Sequence, residues 1–320
     1  MYKNSLKSKK KVSIVIPTFN EILNVEPFIE AVLEELNENL PDYDYEIIII
    51  DNDSTDGTQE KIEELCNKEK KIKAIFNLKN YGPDNSPYYG MLQTSGDCVI
   101  MICCDFQDPV DMIHKMVRKW EKGNYVVIGL KDEKAEGFVL HQLRNLYYRL
   151  ISKYSDVDLI RQFTGFGCFD KRLIQNMRNL DDPVPFLRGI VAEFSSDRDR
   201  VYMHYPHLKR KAGHSHIRLA VLYDIAMRSF TSYTKVGLRL ASIFGYLVAF
   251  LSMLVALYYL LMKLTHWDDF EFGIPVAIVG LFFISSVQLI FLGFLGEYIL
   301  SINHRVMNRP IVTEKKRINF

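Results

Sequence analysis

Polar residues that could bind a metal nucleotide cluster at three points of the sequence, each directly after a short β-rich run. The clusters are residues 17–21 (PTFNE), 51–58 (DNDSTDGT) and 105–109 (DFQDP). Carboxylates beside a phosphate repel it unless a hard divalent cation lies between them, and Mg²⁺ or Mn²⁺ takes oxygen ligands from one or two acids plus the phosphates. The residues therefore predict an acidic crevice that binds a nucleotide through a metal.

Two features limit this interpretation. No G-x-G-x-x-G pattern follows the first β-rich run, and no G-x-x-x-x-G-K-[ST] pattern occurs anywhere, so the usual glycine-rich phosphate loops are missing. Residues 54–58 also fit an Asx turn with a helix N-cap, and Asp108 before Pro109 fits a cap for a helix beginning at Met112. The first of these structural roles is compatible with nucleotide binding.

The elements that position these clusters alternate between strands and helices. Strand candidates are residues 12–16, 45–50, 73–76, 98–103 and 125–130. Between them, apolar residues recur at helical spacing, in the sets Phe28, Ile29, Val32, Leu33 and Leu36, then Ile62, Leu65 and Cys66, then Met112, Ile113, Met116, Val117 and Trp120. This β-α-β pattern predicts an α/β domain whose mostly parallel, Rossmann-like sheet has helices on both faces. Its ligand is expected at the carboxyl ends of the strands.

Composition excludes several classes of protein. The 320 residues carry 40 Lys and Arg against 39 Asp and Glu, a net charge of +1, which argues against nucleic acid as a partner. A hydrophobic content of 48% excludes a disordered chain. The five cysteines are odd in number and contain no C-x-x-C, which fits neither a disulfide framework nor a zinc site. They indicate a reduced compartment that faces the cytosol.

Two long segments near the end of the sequence predict a membrane hairpin. Residues 242–262 and 272–296 contain no Asp, Glu, Lys or Arg, and each is long enough to cross a hydrocarbon core of about 30 Å. The alternative is a pair of buried core helices. The intervening residues 263–271 hold one Lys and three acids, whereas residues 209–239 hold seven basic residues and one acid. The positive-inside rule therefore places both termini in the cytoplasm.

Six motifs in the same order resemble glycosyltransferase family 2. They are residues 14–21 (IVIPTFNE), 51–58 (DNDSTDGT), 105–109 (DFQDP), 185–189 (PFLRG), 210–216 (RKAGHSH) and 288–298 (QLIFLGFLGEY). More narrowly, the sequence is similar to the polyprenyl-phosphate glycosyltransferases, of the dolichyl-phosphate mannose synthase and bactoprenol glucosyltransferase type. The resemblance covers nearly the whole chain, including both apolar segments.

The resemblance implies a GT-A fold that binds a nucleotide-diphosphate sugar. By this resemblance Pro17, Phe19 and Glu21 would line the nucleoside pocket. Asp51 and Asn52, at the end of the next strand, would hold the base or the ribose.

The same resemblance implies a metal and a set of basic residues. Asp105 with Gln107 would hold Mg²⁺ or Mn²⁺ against the diphosphate. Lys131 and Arg210 correspond to residues that contact the diphosphate or the acceptor phosphate. His216 stands where the family usually has Lys, and a histidine supplies positive charge only when it is protonated.

The sequence departs from the family at two acidic positions. Cys103 stands where the D-x-D motif has its first acid, and residues 164–167 carry no acid where relatives often have one. A lipid monophosphate is already an oxyanion near neutral pH, with a second pKa of about 6, so it needs no strong base, whereas a sugar hydroxyl does. The missing acid therefore favours a phosphate acceptor.

These observations lead to one hypothesis and two alternatives. The hypothesis is an inverting glycosyltransferase of the cell inner membrane that transfers a sugar, expected from a UDP-sugar, to undecaprenyl or a similar polyprenyl phosphate on the cytoplasmic leaflet, for cell-envelope glycans. The alternatives are a family 2 enzyme with a hydroxyl acceptor and a non-catalytic membrane scaffold. A homo-oligomer is compatible with the sequence. The expected domains are residues 1–210 (catalytic), 211–240 (amphipathic), 241–302 (two membrane helices) and 303–320 (basic cytoplasmic tail).

Overall fold

The computed structural model describes residues 9–132, 160, 163–180, 182–206, 208, 227, 236–265, 274–307 and 309–320. The elements in chain order are β1 (Lys11–Thr18), α1 (Val25–Asn39), β2 (Asp44–Asp51), α2 (Thr58–Lys68), β3 (Ile72–Asn77), α3 (Gly82–Leu92), β4 (Cys98–Met101), α4 (Met112–Trp120), β5 (Val126–Lys131), β6 (Phe163–Asp170), α5 (Lys171–Leu180), α6 (Leu187–Glu193), β7 (Arg200–Tyr205), α7 (Val236–Thr265), α8 (Ile274–Val306) and β8 (Glu314–Ile318).

The described strands form one sheet in the order β7-β5-β6-β4-β1-β2-β3-β8. Strands β1 to β4 pair in parallel with one another, and β5 pairs in parallel with β7, whereas β6 and β8 run antiparallel to their neighbours. The mostly parallel α/β sheet predicted from the sequence is therefore confirmed. Strand β4 ends at Met101, two residues before the predicted end, so Cys103 lies in the loop that follows it.

Helices cover both faces of this sheet, as the sequence pattern predicts. Successive residues of a strand point to opposite faces. Ile14 of β1 belongs to a core shared with α1, α2 and α4, which includes Phe28. The next residue, Val15, belongs to a core shared with α3, α5 and α6, which includes Tyr88. The strands of the sheet are thus buried on both faces.

Helix α3 was not predicted, because Pro83, Pro87 and Gly90 interrupt any apolar periodicity. Gly90 packs closely against the sheet. A Cβ there would lie 3.0 Å from Cγ1 of Val15 and 3.2 Å from Cγ2 of Ile50, so these side chains would have to shift by a few tenths of an ångström. Proline is tolerated early in a helix, where the first N–H groups have no partner within the helix.

The two apolar segments are helical. The predicted stretch 242–262 lies within α7, and most of 272–296 lies within α8. The rings of Phe244 and Phe291 are 5.8 Å apart, so the first half of α7 contacts the second half of α8, as in an antiparallel pair. Within the described residues, one stretch, Phe283–Val306, is long and apolar enough to cross a membrane, and Ser242–Val255 is a shorter apolar helix.

The end of the chain returns to the sheet. Strand β8 pairs antiparallel with β3, and the N–H of Leu78 donates to the carbonyl of Thr313 at 2.9 Å. Arg305, in the last turn of α8, lies 3.4 Å from the carboxylate of Asp182. The expected basic tail is therefore in part an edge strand. Its charges are those of a solvated edge, with Lys316 paired to Glu63 at 2.8 Å.

Candidate active site at the carboxyl edge of the sheet

The loops after β1 and β2 are joined by reciprocal hydrogen bonds. The N–H of Asn20 donates to Oγ of Ser54 at 2.8 Å, and Oδ1 of Asn20 accepts from the N–H of Thr55 at 2.9 Å. The N–H of Glu21 donates to Oγ1 of Thr58 at 2.9 Å. Asn20 has a positive φ of 55°, which an asparagine tolerates. These bonds make the two loops one rigid wall of the crevice.

Three residues predicted for the nucleoside pocket lie on this wall. Pro17 and Phe19 are half-buried, and Glu21 is buried. The Glu21 carboxylate accepts from Nδ2 of Asn24 at 2.7 Å. Glu21 therefore anchors the start of α1, and a nucleoside at this wall would contact Pro17 and Phe19 more directly.

Asp51 is fully buried, and its carboxylate organises its own loop. It accepts from the N–H and Oγ of Ser54, at 2.9 and 2.5 Å, and from Nε2 of Gln59 at 2.8 Å. Burial raises the pKa of Asp51, against the lowering effect of the bonds from Ser54, Gln59 and Thr18. Asp53, two positions after Asp51, has a positive φ of 66°. Asp51 therefore holds the turn that presents Asp53.

Asn52 connects the β2 loop to the loop after β3. Its Oδ1 accepts from Nδ2 of Asn77 at 3.0 Å and from the N–H of Tyr81 at 2.9 Å. Its Nδ2 donates to Oδ1 of Asn80 at 2.9 Å. Neither Asn77 nor Asn80 was predicted from the sequence. The cluster of Asn and Gly after the third strand was the available signal.

Asp105 lies at the end of β4 in a turn that an aromatic contact fixes. The next residue, Phe106, has a positive φ of 58°, and its ring packs edge-on against Phe28 of α1 at 5.0 Å. The N–H of Gln107 donates to Oδ1 of Asp105 at 3.1 Å. Burial raises the pKa of Asp105, as does the charge of Asp108. The Asp105 carboxylate therefore lies beside the backbone N–H of Gln107.

Asp108 does not cap helix α4 as the sequence suggested, because the N-cap position is Asp111 and no side chain caps that helix. The Asp108 carboxylate is buried. Its Oδ1 accepts from the hydroxyl of Tyr205 at 2.6 Å and lies 3.1 Å from Nζ of Lys131. Lys131, predicted as a phosphate contact, is therefore held by an acid from the neighbouring loop. Tyr205 had no signal in the sequence.

Cys103 lies in the same loop and is half-buried. Burial raises the pKa of its thiol, and the nearby charges of Asp108 and Asp105 raise it further, against Lys131. The thiol is therefore neutral near pH 7 and is a poor ligand for a hard cation.

These side chains fit a divalent cation that arrives with a diphosphate. Within the part of the chain that the structure describes, no group of three or more His, Cys, Asp and Glu side chains could hold a metal ion alone. Asp105 and Gln107 together offer a carboxylate and an amide oxygen. Mg²⁺ in nucleotide sites commonly takes one or two carboxylates and completes its shell with phosphate oxygens and water.

The carboxyl edge thus collects eight of the ten residues predicted for the site. Arg210 and His216 lie outside the described residues, as does nearly all of the expected amphipathic segment 211–240 up to Lys235. Pro17, Asp51 and Asp105 lie at or shortly after the ends of three neighbouring strands, at the same edge of the sheet.

Comparison with known proteins extends this picture. Residues 13–178 match the family described as Glycosyl transferase family 2. The chain is 29% identical over 307 residues to the SfII prophage-derived bactoprenol glucosyl transferase of Shigella flexneri, across 96% of this chain and 98% of that protein. It is 26% identical over 311 residues to the prophage bactoprenol glucosyl transferase homolog of Escherichia coli (strain K12), across 97% of each.

A solved structure with similarity to this chain is the glucosyl-3-phosphoglycerate synthase from Mycobacterium tuberculosis in complex with Mn²⁺, UDP-glucose and phosphoglyceric acid. The identity is 18%, the TM-score is 0.49, and the match covers 70% of this chain and 79% of that chain.

Proposed function

Because the chain belongs to glycosyl transferase family 2 and is therefore a glycosyltransferase, we propose that it transfers a sugar from a nucleotide-diphosphate sugar to a polyprenyl phosphate. One observation supports polyprenyl phosphate as the acceptor. The similarity to a bactoprenol glucosyl transferase spans 96% of the chain, so it extends beyond residues 13–178 into the two apolar helices. A transferase with a soluble acceptor has no need of them.

The α/β sheet is the GT-A catalytic domain of this enzyme, and its carboxyl edge is the proposed donor site. Asp105 and Gln107 would hold Mg²⁺ or Mn²⁺, which supplies positive charge for the departing diphosphate of a UDP-sugar. Pro17 and Phe19 would pack on the nucleoside. Lys131 would stabilise the diphosphate, together with Arg210 and His216 from the segment after β7.

Two buried carboxylates at this edge of the sheet support a phosphate acceptor. Asp51 accepts bonds from its own loop, and Asp108 accepts a bond from Tyr205 and forms an ion pair with Lys131. Neither is arranged as a general base for a sugar hydroxyl. A polyprenyl monophosphate needs none, because its phosphate is ionised near neutral pH, and orientation and charge screening suffice for attack on the anomeric carbon.

The path of the chain supports a membrane hairpin with the catalytic domain on the cytoplasmic side. The chain leaves the sheet after Tyr205 and re-enters it at Glu314. Because both strands belong to one domain, any segment between them crosses a membrane an even number of times. Two crossings, by α7 and α8, agree with the two apolar stretches of the sequence. They also agree with the division into domains that the sequence predicts.

The test is to incubate the full-length protein in detergent with a panel of nucleotide sugars and undecaprenyl phosphate, and then to determine the mass of the lipid product. We expect one sugar–phosphate–lipid species that forms only with a divalent cation. Transfer to an oligosaccharide hydroxyl but not to the lipid phosphate would favour the hydroxyl-acceptor alternative. No transfer, with nucleotide binding retained or not, would favour the scaffold.

A further inference from the structure

One buried carboxylate joins three different strand ends. Oδ1 of Asp108, in the loop after β4, accepts from the hydroxyl of Tyr205 at 2.6 Å and lies 3.1 Å from Nζ of Lys131. Lys131 ends β5, Tyr205 ends β7, and the two are direct partners in the parallel register of these strands. Asp108 and Tyr205 are each 2% exposed.

The tyrosine ring is fixed from both sides. The Phe166 ring packs edge-on against it at 5.4 Å. On β5, a Cβ at Gly129 would lie 3.0 Å from Cε1 of Tyr205 and 2.7 Å from Cδ1 of Phe166, so glycine makes room for both rings. Burial raises the pKa of Tyr205, and its hydroxyl therefore stays protonated as a donor to Asp108.

The side chain of Lys131 is 16% exposed, so it is not wholly enclosed by its ion pair. An ammonium has three N–H donors. Its ion pair with Asp108, at 3.1 Å, occupies one side of it, so the ammonium keeps donors that a phosphate oxygen can accept. A flexible lysine side chain loses conformational entropy when it is held at one point. Because the ion pair with Asp108 already restricts Lys131 in the free protein, less of this entropy is lost when substrate binds.

We propose that Asp108 and Tyr205 are positioning residues for sugar transfer, which fix the Lys131 ammonium where negative charge develops on the leaving diphosphate. The inference rests on the function proposed above. Asp108 also neutralises part of the Lys131 charge, which weakens the attraction of the ammonium for the bound donor as well as for the transition state. Tyr205 stands five residues before Arg210, and its bond to Asp108 fixes the point from which that basic segment starts.

The mechanism predicts a split between kcat and KM. Asp108→Asn leaves the Lys131 ammonium without its counter-charge and no longer fixed in position. KM for the nucleotide sugar therefore stays the same or falls. The value of kcat falls by about 10- to 100-fold, the usual cost of losing a residue that orients a reacting group. Tyr205→Phe also lowers kcat, but by a smaller factor, and leaves KM unchanged. The controls are Asp111→Asn at the start of α4 and Tyr202→Phe on β7.

The decisive experiment combines these variants in the full-length protein and measures release of nucleoside diphosphate, with the mass of the lipid product determined in parallel. Because Lys131→Met alone leaves a buried carboxylate unpaired, the reference is the double variant Lys131→Met/Asp108→Asn. Adding Tyr205→Phe to this reference is expected to change kcat by less than about twofold, since the hydroxyl acts through Lys131.

Two results would overturn the inference. One is a kcat loss from Tyr205→Phe that is as large in the reference as in the wild type. The other is a decrease in kcat for Asp108→Asn that is accompanied by a higher KM and a lower unfolding temperature. If the wild type releases nucleoside diphosphate but makes no lipid product, the proposed acceptor is wrong, and the pattern of kcat values still decides the role of Asp108.

Discussion

The ammonium of Lys73 lies 2.9 Å from the buried carboxylate of Glu46, at the amino end of the sheet and away from the crevice. Burial of Glu46 raises its pKa, but hydrogen bonds from Ser13, Lys73, Ser95 and Lys11 outweigh burial and lower the pKa to about 2. A carboxyl group with a lowered pKa stabilises the fold above its unfolded pKa of 4.5, and this stabilisation is lost as the pH falls toward 2.

We therefore expect Glu46→Gln to lower the free energy of unfolding at pH 7 by up to about 3 kcal/mol, from about 1.4 kcal/mol per pKa unit. The difference from wild type should shrink as the pH falls below 4.5. Thermal unfolding of the two proteins in detergent at several pH values measures it. Asp44→Asn, which removes an exposed pair with Lys71, is the control and should cost less than about 1 kcal/mol. An effect of Glu46→Gln that does not depend on pH would contradict the assignment.

Asp105→Asn is expected to lower transfer by about 100-fold or more, because it removes the charged ligand at the diphosphate and leaves the turn intact. Initial rates across Mn²⁺ concentration measure the effect. The matched control is Asp111→Asn, an exposed acid six residues later. Wild-type turnover with unchanged metal dependence would contradict the metal role.

Cys103→Asp should be tolerated and should reduce the Mn²⁺ concentration for half-maximal activity on the order of tenfold. The side chain is half-buried beside Asp105, so a carboxylate there adds a hard oxygen ligand. Cys103→Asn, of similar size without charge, is the control and should leave the metal dependence near that of wild type. Complete loss of donor binding in both variants would show that the thiol serves packing.

Reporter groups fused after Phe320 and attached at Lys3 should both be accessible from the cytoplasm, and a reporter within residues 267–270 only from outside. The C-terminal reporter belongs after Phe320 because Thr313 is bonded to Leu78. Labelling of intact cells with an impermeant reagent measures the three positions, and labelling after lysis is the control. A reversed pattern would separate the active site from cytoplasmic nucleotide sugars.

Local pattern predicted the first five strands and three of the four helices between them, because their apolar residues follow the period of the element. Local pattern failed where contacts with residues far away in the sequence determine the role of a side chain. Asp108 fits a helix cap until its partner Tyr205, 97 residues away, is known. Asp51 and Asn52 were placed correctly at the carboxyl edge, but a sequence does not show that their side chains are bonded to neighbouring loops. Residues 314–318 have the composition of a charged tail, and only pairing with β3 makes them a strand.

The pairing of β3 with β8 also sets an order of events during synthesis. Asn77 pairs with Glu314, 237 residues later, which at about 5–20 residues per second is roughly 12–50 s of translation. Throughout that interval the edge of β3 is an unpaired template for other chains. Both apolar helices are made before the strand that covers it. The catalytic sheet is therefore completed only after the hairpin has emerged, so that a chain whose helices are misplaced also keeps an exposed sheet edge and can be recognised as misfolded.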